Sequence, residues 1–187
     1  MADDEQLFTM CGEGEIEEVK KALARGGDPN KKLGNNGGTA LHHAAGKGHQ
    51  EVVSLLLEQP GIAANAASNN GWTALHHAAV HGNQEVVALL LEQPGIDEQA
   101  TTTRGNTILH AACCGNCGPD MLRRLLTNPA IDPNVKNLHG RTAIMFLLQR
   151  NNNIDIQRDC LQALVESAQV DLDVKDPQGM GLEDLAR

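Results

Sequence analysis

The side chains best suited to chemistry in this chain are histidines and cysteines set at regular places. His42-His43, His76-His77 and His110 recur in register, and Cys113-Cys114-Gly115-Asn116-Cys117 gathers three thiols. Imidazole and thiolate are common zinc ligands, bases and nucleophiles, so spacing decides what these residues can do. His42, His76 and His110 stand 34 residues apart. In stacked helical units they fall in successive layers about one helix diameter, ~10 Å, apart. Ligands of one ion must lie about 2 Å from it, so this ladder is a poor chelator, and the same objection weakens His43 and His77. Cys114 and Cys117 form a CxxC, a spacing at which two thiols reach one metal ion or each other. A redox reading requires a strand-helix-strand context, and a zinc reading requires two more ligands, for which His110 and His81 are the candidates. Incidental small buried residues in a helix connection are the leading explanation of these cysteines. Serine is scarce, and no nucleophile elbow, phosphate loop or paired catalytic carboxylate occurs. The chain reads as non-enzymatic, with no catalytic residue, no metal ligand and no cofactor.

The elements that carry these residues repeat. Gly37-Gly38-Thr39-Ala40-Leu41-His42-His43-Ala44-Ala45 returns 34 residues later as Gly71-Trp72-Thr73-Ala74-Leu75-His76-His77-Ala78-Ala79. Thr107-Ile108-Leu109-His110-Ala111-Ala112 follows after another 34, and Thr142-Ala143-Ile144-Met145 after 35. A fixed period of this size marks supersecondary units that bury their apolar faces only by stacking. Thr39 is placed to cap a helix through its hydroxyl, with Leu41, Ala44 and Ala45 as its narrow apolar face. Val52, Val53, Leu55, Leu56 and Leu57 form a second helix, wide enough to touch both its partner and the next unit, and Pro60-Gly61 stops it. Helices shorter than ~12–15 residues are marginal alone, so stacking must hold them.

The motif TALHHAA resembles the TPLHxA signature of ankyrin repeats, with Ala in place of Pro, while the tetratricopeptide pattern of similar period is absent. GKGHQEVVSLLLEQPGI and HGNQEVVALLLEQPGI are similar to the second helix of that family, and Gly26-Gly27-Asp28-Pro29-Asn30 to its inter-repeat turn. The resemblance implies an all-α solenoid of helix-turn-helix units joined by β-turn or hairpin-like loops. It divides a single domain, 1–187, into an N-terminal capping repeat (about 1–30), repeats at 31–65, 66–99, 100–134 and 135–173, and a partial sixth at 174–187. In repeat five Met145 replaces the motif His, Leu147-Leu148 replace Ala-Ala, and an insertion lies near 151–156. The sixth unit supplies Leu182 to Ala186 as a first helix and no second, so a half repeat or a fragment of a longer protein is expected, with Leu182 and Leu185 as exposed apolar residues.

The resemblance also implies roles. The motif histidines bridge turn and helix by hydrogen bonds, and partners contact the turn tips and the exposed face of each first helix, which line a concave groove. In this chain the tips are Asn36, Asn70, Arg104 and His139. The position before the motif Thr holds Gly38, Trp72, Asn106 and Arg141. The position after the motif His holds His43, His77, Ala111 and Phe146, and the helix end holds Lys47, His81 and Arg150. Trp72 is the candidate anchor or a residue packed over its turn, and Arg104, Arg141 and Arg150 suit an acidic partner segment. Asn65 and Asn134 occupy the turn asparagine that intracellular hydroxylation targets in such repeats, with Leu57 and Leu126 eight residues upstream. Hydrogen bonding to the turn backbone is their alternative role.

Composition agrees. Among 187 residues there are two Phe, one Trp and no Tyr, so Leu, Ala and Val must fill the layers. There is no run of 18 apolar residues and no secretory leader, and five cysteines are an odd number; a soluble, intracellular protein with reduced thiols and no membrane insertion is expected. Residues 1–18 are acidic without Lys or Arg, residues 104–158 are net basic, and the net charge of −9 argues against nucleic-acid binding. A monomeric adaptor or scaffold that binds another protein is the leading reading. A targeting or inhibitory segment of a larger regulatory protein or enzyme is the alternative, and a CxxC metal or redox protein a third.

Overall fold

The computed structural model describes residues 2–149, 154–167, 169–175 and 177–181. Its helices come in pairs that follow the period: α1 (Ala2–Glu13) with α2 (Ile16–Ala24), α3 (Ala40–Lys47) with α4 (Gln50–Leu57), α5 (Ala74–His81) with α6 (Gln84–Leu91), α7 (Ile108–Cys114) with α8 (Pro119–Leu126), and α9 (Ala143–Leu148) with α10 (Ile154–Glu166). The expected all-α repeat solenoid is what the chain forms, without a β-sheet among the described residues.

The motif threonine and histidine fix each helix start together. The Thr39 backbone N–H donates to His42 Nδ1 at 3.0 Å, and the Thr39 hydroxyl lies 2.8 Å from the same nitrogen. Two donors on Nδ1 leave the proton on Nε2, which donates to the Trp72 carbonyl at 3.0 Å. His110 repeats this arrangement, with Thr107 on Nδ1 and the Arg141 carbonyl 2.9 Å from Nε2. These imidazoles therefore do more than bridge turn and helix within one unit: they tie each helix start to the following turn.

Helix ends differ between copies. Gly48 and Gly82 close α3 and α5 in the left-handed region at φ 79° and 80°, where a side chain is costly. Asn116 stands at the corresponding place in the third copy, α7 ends at Cys114, and Gly115 has φ −97°. In the second helices Val52, Val53 and Leu56 are buried, matched by Val86, Val87 and Leu90, and by Met121, Leu122, Leu125 and Leu126. Leu55 and Leu57, expected in the core, are half-buried.

The loops are hairpin-like as expected. Leu33 and Gly38 form an isolated antiparallel bridge, and the N–H groups of Ser68, Thr102 and Asn137 donate to the carbonyls of Trp72, Asn106 and Arg141 at 2.8–3.0 Å. Ser68, Thr102 and Asn137 are themselves buried. Their side-chain oxygens accept backbone N–H groups from inside the same turn, such as those of Trp72, Arg104 and Arg141.

Two compact units result, Met1–Asp97 and Glu98–Arg187. In the first, α1 packs on α3 and α3 on α5, while α2 packs on α4 and α4 on α6; in the second, α7 packs on α9 and α8 on α10. No described helix is long and apolar enough to cross a membrane. Arg150, the inserted Asn151–Asn153 and the predicted helix at 182–186 lie outside the described residues.

Candidate functional site

In the first unit a cleft of about 480 Å³ is lined by Asn36, His43, Lys47, His77 and His81, with Phe8, Leu33 and Asn83 among its other walls. A smaller cleft of about 230 Å³ shares Asn36, His77 and His81 and adds Asn70 and Trp72. All eight contact positions assigned to this unit, Gly38 included, thus border two adjoining clefts. They are not equally available. His43 Nδ1 lies 3.1 Å from the Phe8 carbonyl, and its ring stacks on Phe8 at 4.6 Å, so His43 also fastens α1 to α3. Asn36 uses its carbonyl to accept the Asn69 N–H at 2.9 Å. Lys47 and His81 are exposed. Trp72 is half-buried, its ring 5.3 Å from that of His77 and 5.9 Å from that of His76. It packs over its turn and borders the small cleft.

Burial dominates the electrostatics here. It lowers the His42 pKa and pushes that of His77 down to about 4, aided by the neighbouring His42 and His81. Both are neutral at physiological pH.

In the second unit Arg104, Asn106, His139, Arg141 and Phe146 line one cleft of about 660 Å³ with Leu138, Pro177 and Gln178. Arg123 and Arg158 are engaged by Asp120, Glu166, Asp155 and Asp159. Arg141 donates to Gln149 Oε1 at 2.8 Å, and among the described residues neither Arg104 nor Arg141 has a carboxylate partner. Phe146 is half-buried, edge-on to His110 at 5.5 Å. Leu138, at the hairpin tip, is 77% exposed. Its backbone N–H donates to the Arg104 carbonyl at 3.0 Å, and sequence reasoning overlooked it because it lies one place before the assigned tip residue, His139.

The CxxC does not close into a site. Cys117 is buried whereas Cys114 is exposed, which corrects the expectation that the run is simply buried. Among the described residues no three or more His, Cys, Asp or Glu side chains converge to hold a metal. Cys117 instead occupies the place taken by His49 and Asn83 in the preceding repeats. His49 Nε2 lies 3.0 Å from the Gly12 carbonyl, and Asn83 Nδ2 donates to the carbonyls of Ala45 and Gly46. The 34-residue spacing of 49, 83 and 117 carried this signal.

Asn65 and Asn134 bond the following repeat's turn. Asn65 Nδ2 donates to the Gly95 carbonyl at 2.7 Å and its Oδ1 accepts the Asp97 N–H at 2.8 Å; Asn134 does the same with Gln169 and Asp171. Asn30 forms the same pair with Gly61 and Ala63, and Gln99 Nε2 takes the corresponding rung to Ala130. The acidic end is partly compensated by Lys20 on Glu17, Lys21 on Glu18 and Arg25 on Asp3.

Residues 7–102 match the family model of three-copy ankyrin repeats, and residues 104–138 that of the single ankyrin repeat. The chain belongs to the ankyrin-repeat family, whose members are generally protein–protein interaction modules and typically non-catalytic. No curated protein matches it.

Proposed function

We propose that this chain is a non-catalytic adaptor or scaffold that binds another protein through its turn tips and the exposed flanks of its first helices. The observation that carries this reading is the convergence of the contact positions: those of the first unit border two adjoining clefts, and five of the six described in the second unit line one, the sixth, Ala111, being buried instead of exposed on its helix as expected. Trp72 supplies an aromatic surface and Arg104 and Arg141 directional positive charge, the residue types that dominate protein hot spots. Among the described residues Arg104, His139 and Arg141 border the second unit's cleft and no Asp or Glu does, which supports an acidic partner segment there.

The test is affinity capture from native lysate, comparing the wild type with a variant carrying Trp72→Ala, Arg104→Glu and Arg141→Glu. The fold should survive, because His42 and His110 bond the main-chain carbonyls at 72 and 141, and circular dichroism checks this. A partner retained by the wild type and lost by the folded variant supports the proposal. Partners that survive all three changes would remove these surfaces from consideration.

A further inference from the structure

Histidines in different layers of the stack cannot share an ion. That objection does not apply within one helix. His77 and His81 lie four residues apart on α5, a spacing that puts two side chains on one helix face with Cβ atoms ~5–6 Å apart. Both line the larger and the smaller cleft. Both also face Gly46 of α3: a Cβ there would lie 3.6 Å from His81 Cδ2 and 3.8 Å from His77 Nδ1. The missing side chain leaves room beside both rings. The ring nitrogens of His42, His43, His49 and His110 have hydrogen-bond partners, whereas among the described residues those of His77 and His81 have none. The equivalent pairs elsewhere are His43 with Lys47 and Ala111 with Gly115, so only this repeat sets two imidazoles on one face.

We infer that His77 and His81 form a two-nitrogen chelate for a borderline divalent transition ion, Cu²⁺ foremost. Among the described residues neither cleft bordered by this pair is lined by Asp or Glu, so oxygen-seeking Ca²⁺ and Mg²⁺ are not served. Imidazole suits copper, nickel and zinc, and affinity at such a site rises from nickel to copper and falls again at zinc. No third protein donor converges among the described residues, so water completes the coordination and the ion exchanges readily. Lys47 borders the same cleft and opposes the ion, so Lys47→Gln tightens binding.

Trp72 is the only tryptophan and its ring lies 5.3 Å from that of His77, which gives the site its own reporter. Copper(II) chloride is titrated into the full chain in a non-coordinating buffer at neutral pH while Trp72 emission is followed. The expected result is saturable quenching at one equivalent, reversed by EDTA and requiring more zinc than nickel for displacement. In His81→Ala, a change at an exposed position, the midpoint moves by more than the ~10–100-fold that loss of a mere outer-shell partner costs. His139→Ala, an exposed histidine of the other unit, leaves it in place. His77→Gln, which keeps a polar side chain of similar size, is the second variant, and circular dichroism checks both. Quenching that never saturates, or an unchanged midpoint in either folded variant, overturns the proposal.

Discussion

Thr107→Val and Thr142→Val are the same exchange at equivalent helix starts, and they should change stability in opposite directions. The Thr107 hydroxyl lies 2.9 Å from His110 Nδ1 in a buried capping box. Removing it loses a net hydrogen bond worth ~0.5–1.5 kcal/mol, while the Thr107 N–H stays on the ring nitrogen at 3.2 Å, so a cost of about 1 kcal/mol is expected. At Thr142 the partner is gone, because Met145 stands where the histidine would be. The Thr142 hydroxyl is 1% exposed residue-wide and has no hydrogen-bond partner among the described residues. A buried unsatisfied polar group costs ~1–3 kcal/mol, and valine replaces it with a methyl group of nearly the same shape. Thr142→Val should therefore stabilise by about 1 kcal/mol or more, with the two variants differing by roughly 2–4 kcal/mol. Repeat arrays need not unfold in one transition. Urea unfolding by circular dichroism is therefore paired with hydrogen exchange of the α7 and α9 amides, which locates each effect. If Thr142→Val destabilises α9 as much as Thr107→Val destabilises α7, the orphaned-hydroxyl argument is wrong.

Acid should weaken the fold through the buried histidines. The folded pKa values of His42, His77 and His110 are lowered by burial, so their contribution is fully present above the unfolded value of ~6.5 and is lost as pH falls through the folded values. The melting temperature should fall between ~6.5 and about 4, less steeply in His77→Gln, and a flat profile there would refute the assignment. Gly105→Ala should destabilise the second unit by more than the ~1–2 kcal/mol typical of the left-handed region, since φ is 73° and the new Cβ would sit 3.0 Å from the Leu138 nitrogen. Gly61→Ala, with φ 75° and open space, should show only the conformational cost on thermal melting. Asn65→Ala should cost about 1–2 kcal/mol by denaturant unfolding, through its bonds to Gly95 and Asp97. Hydroxylation of Asn65 and Asn134 predicts a mass increase of one oxygen atom at each in protein from native cells, mapped by peptide mass spectrometry; unmodified peptides at both positions would refute it.

The repeated Thr-Ala-Leu-His-His-Ala-Ala made the helix pairs, their caps and their apolar faces legible, because those features are local and recur at fixed spacing. The same register assigned the candidate contact positions. What the letters hid was three-dimensional. A periodic pattern names His42 but not the carbonyl that its outer nitrogen reaches, and it cannot tell Leu55 from Leu56 at the edge of a layer. The role of Cys117 was readable by aligning it with His49 and Asn83, but the nearer CxxC spacing drew attention away. The division after Asp97 leaves no mark on the period at all, and Leu138 was missed because an exposed leucine has no motif to announce it.

The histidines at 42 and 110 grip their neighbours by the main-chain oxygens of Trp72 and Arg141. Every residue type presents that oxygen, so the scaffold is blind to which side chain sits there. The same two positions can thus be rewritten by evolution, or by a protein engineer, from aromatic to cationic to acidic while the joints between repeats keep their grip. In this architecture the side chains freest to change sit at the very places where the structure is fastened.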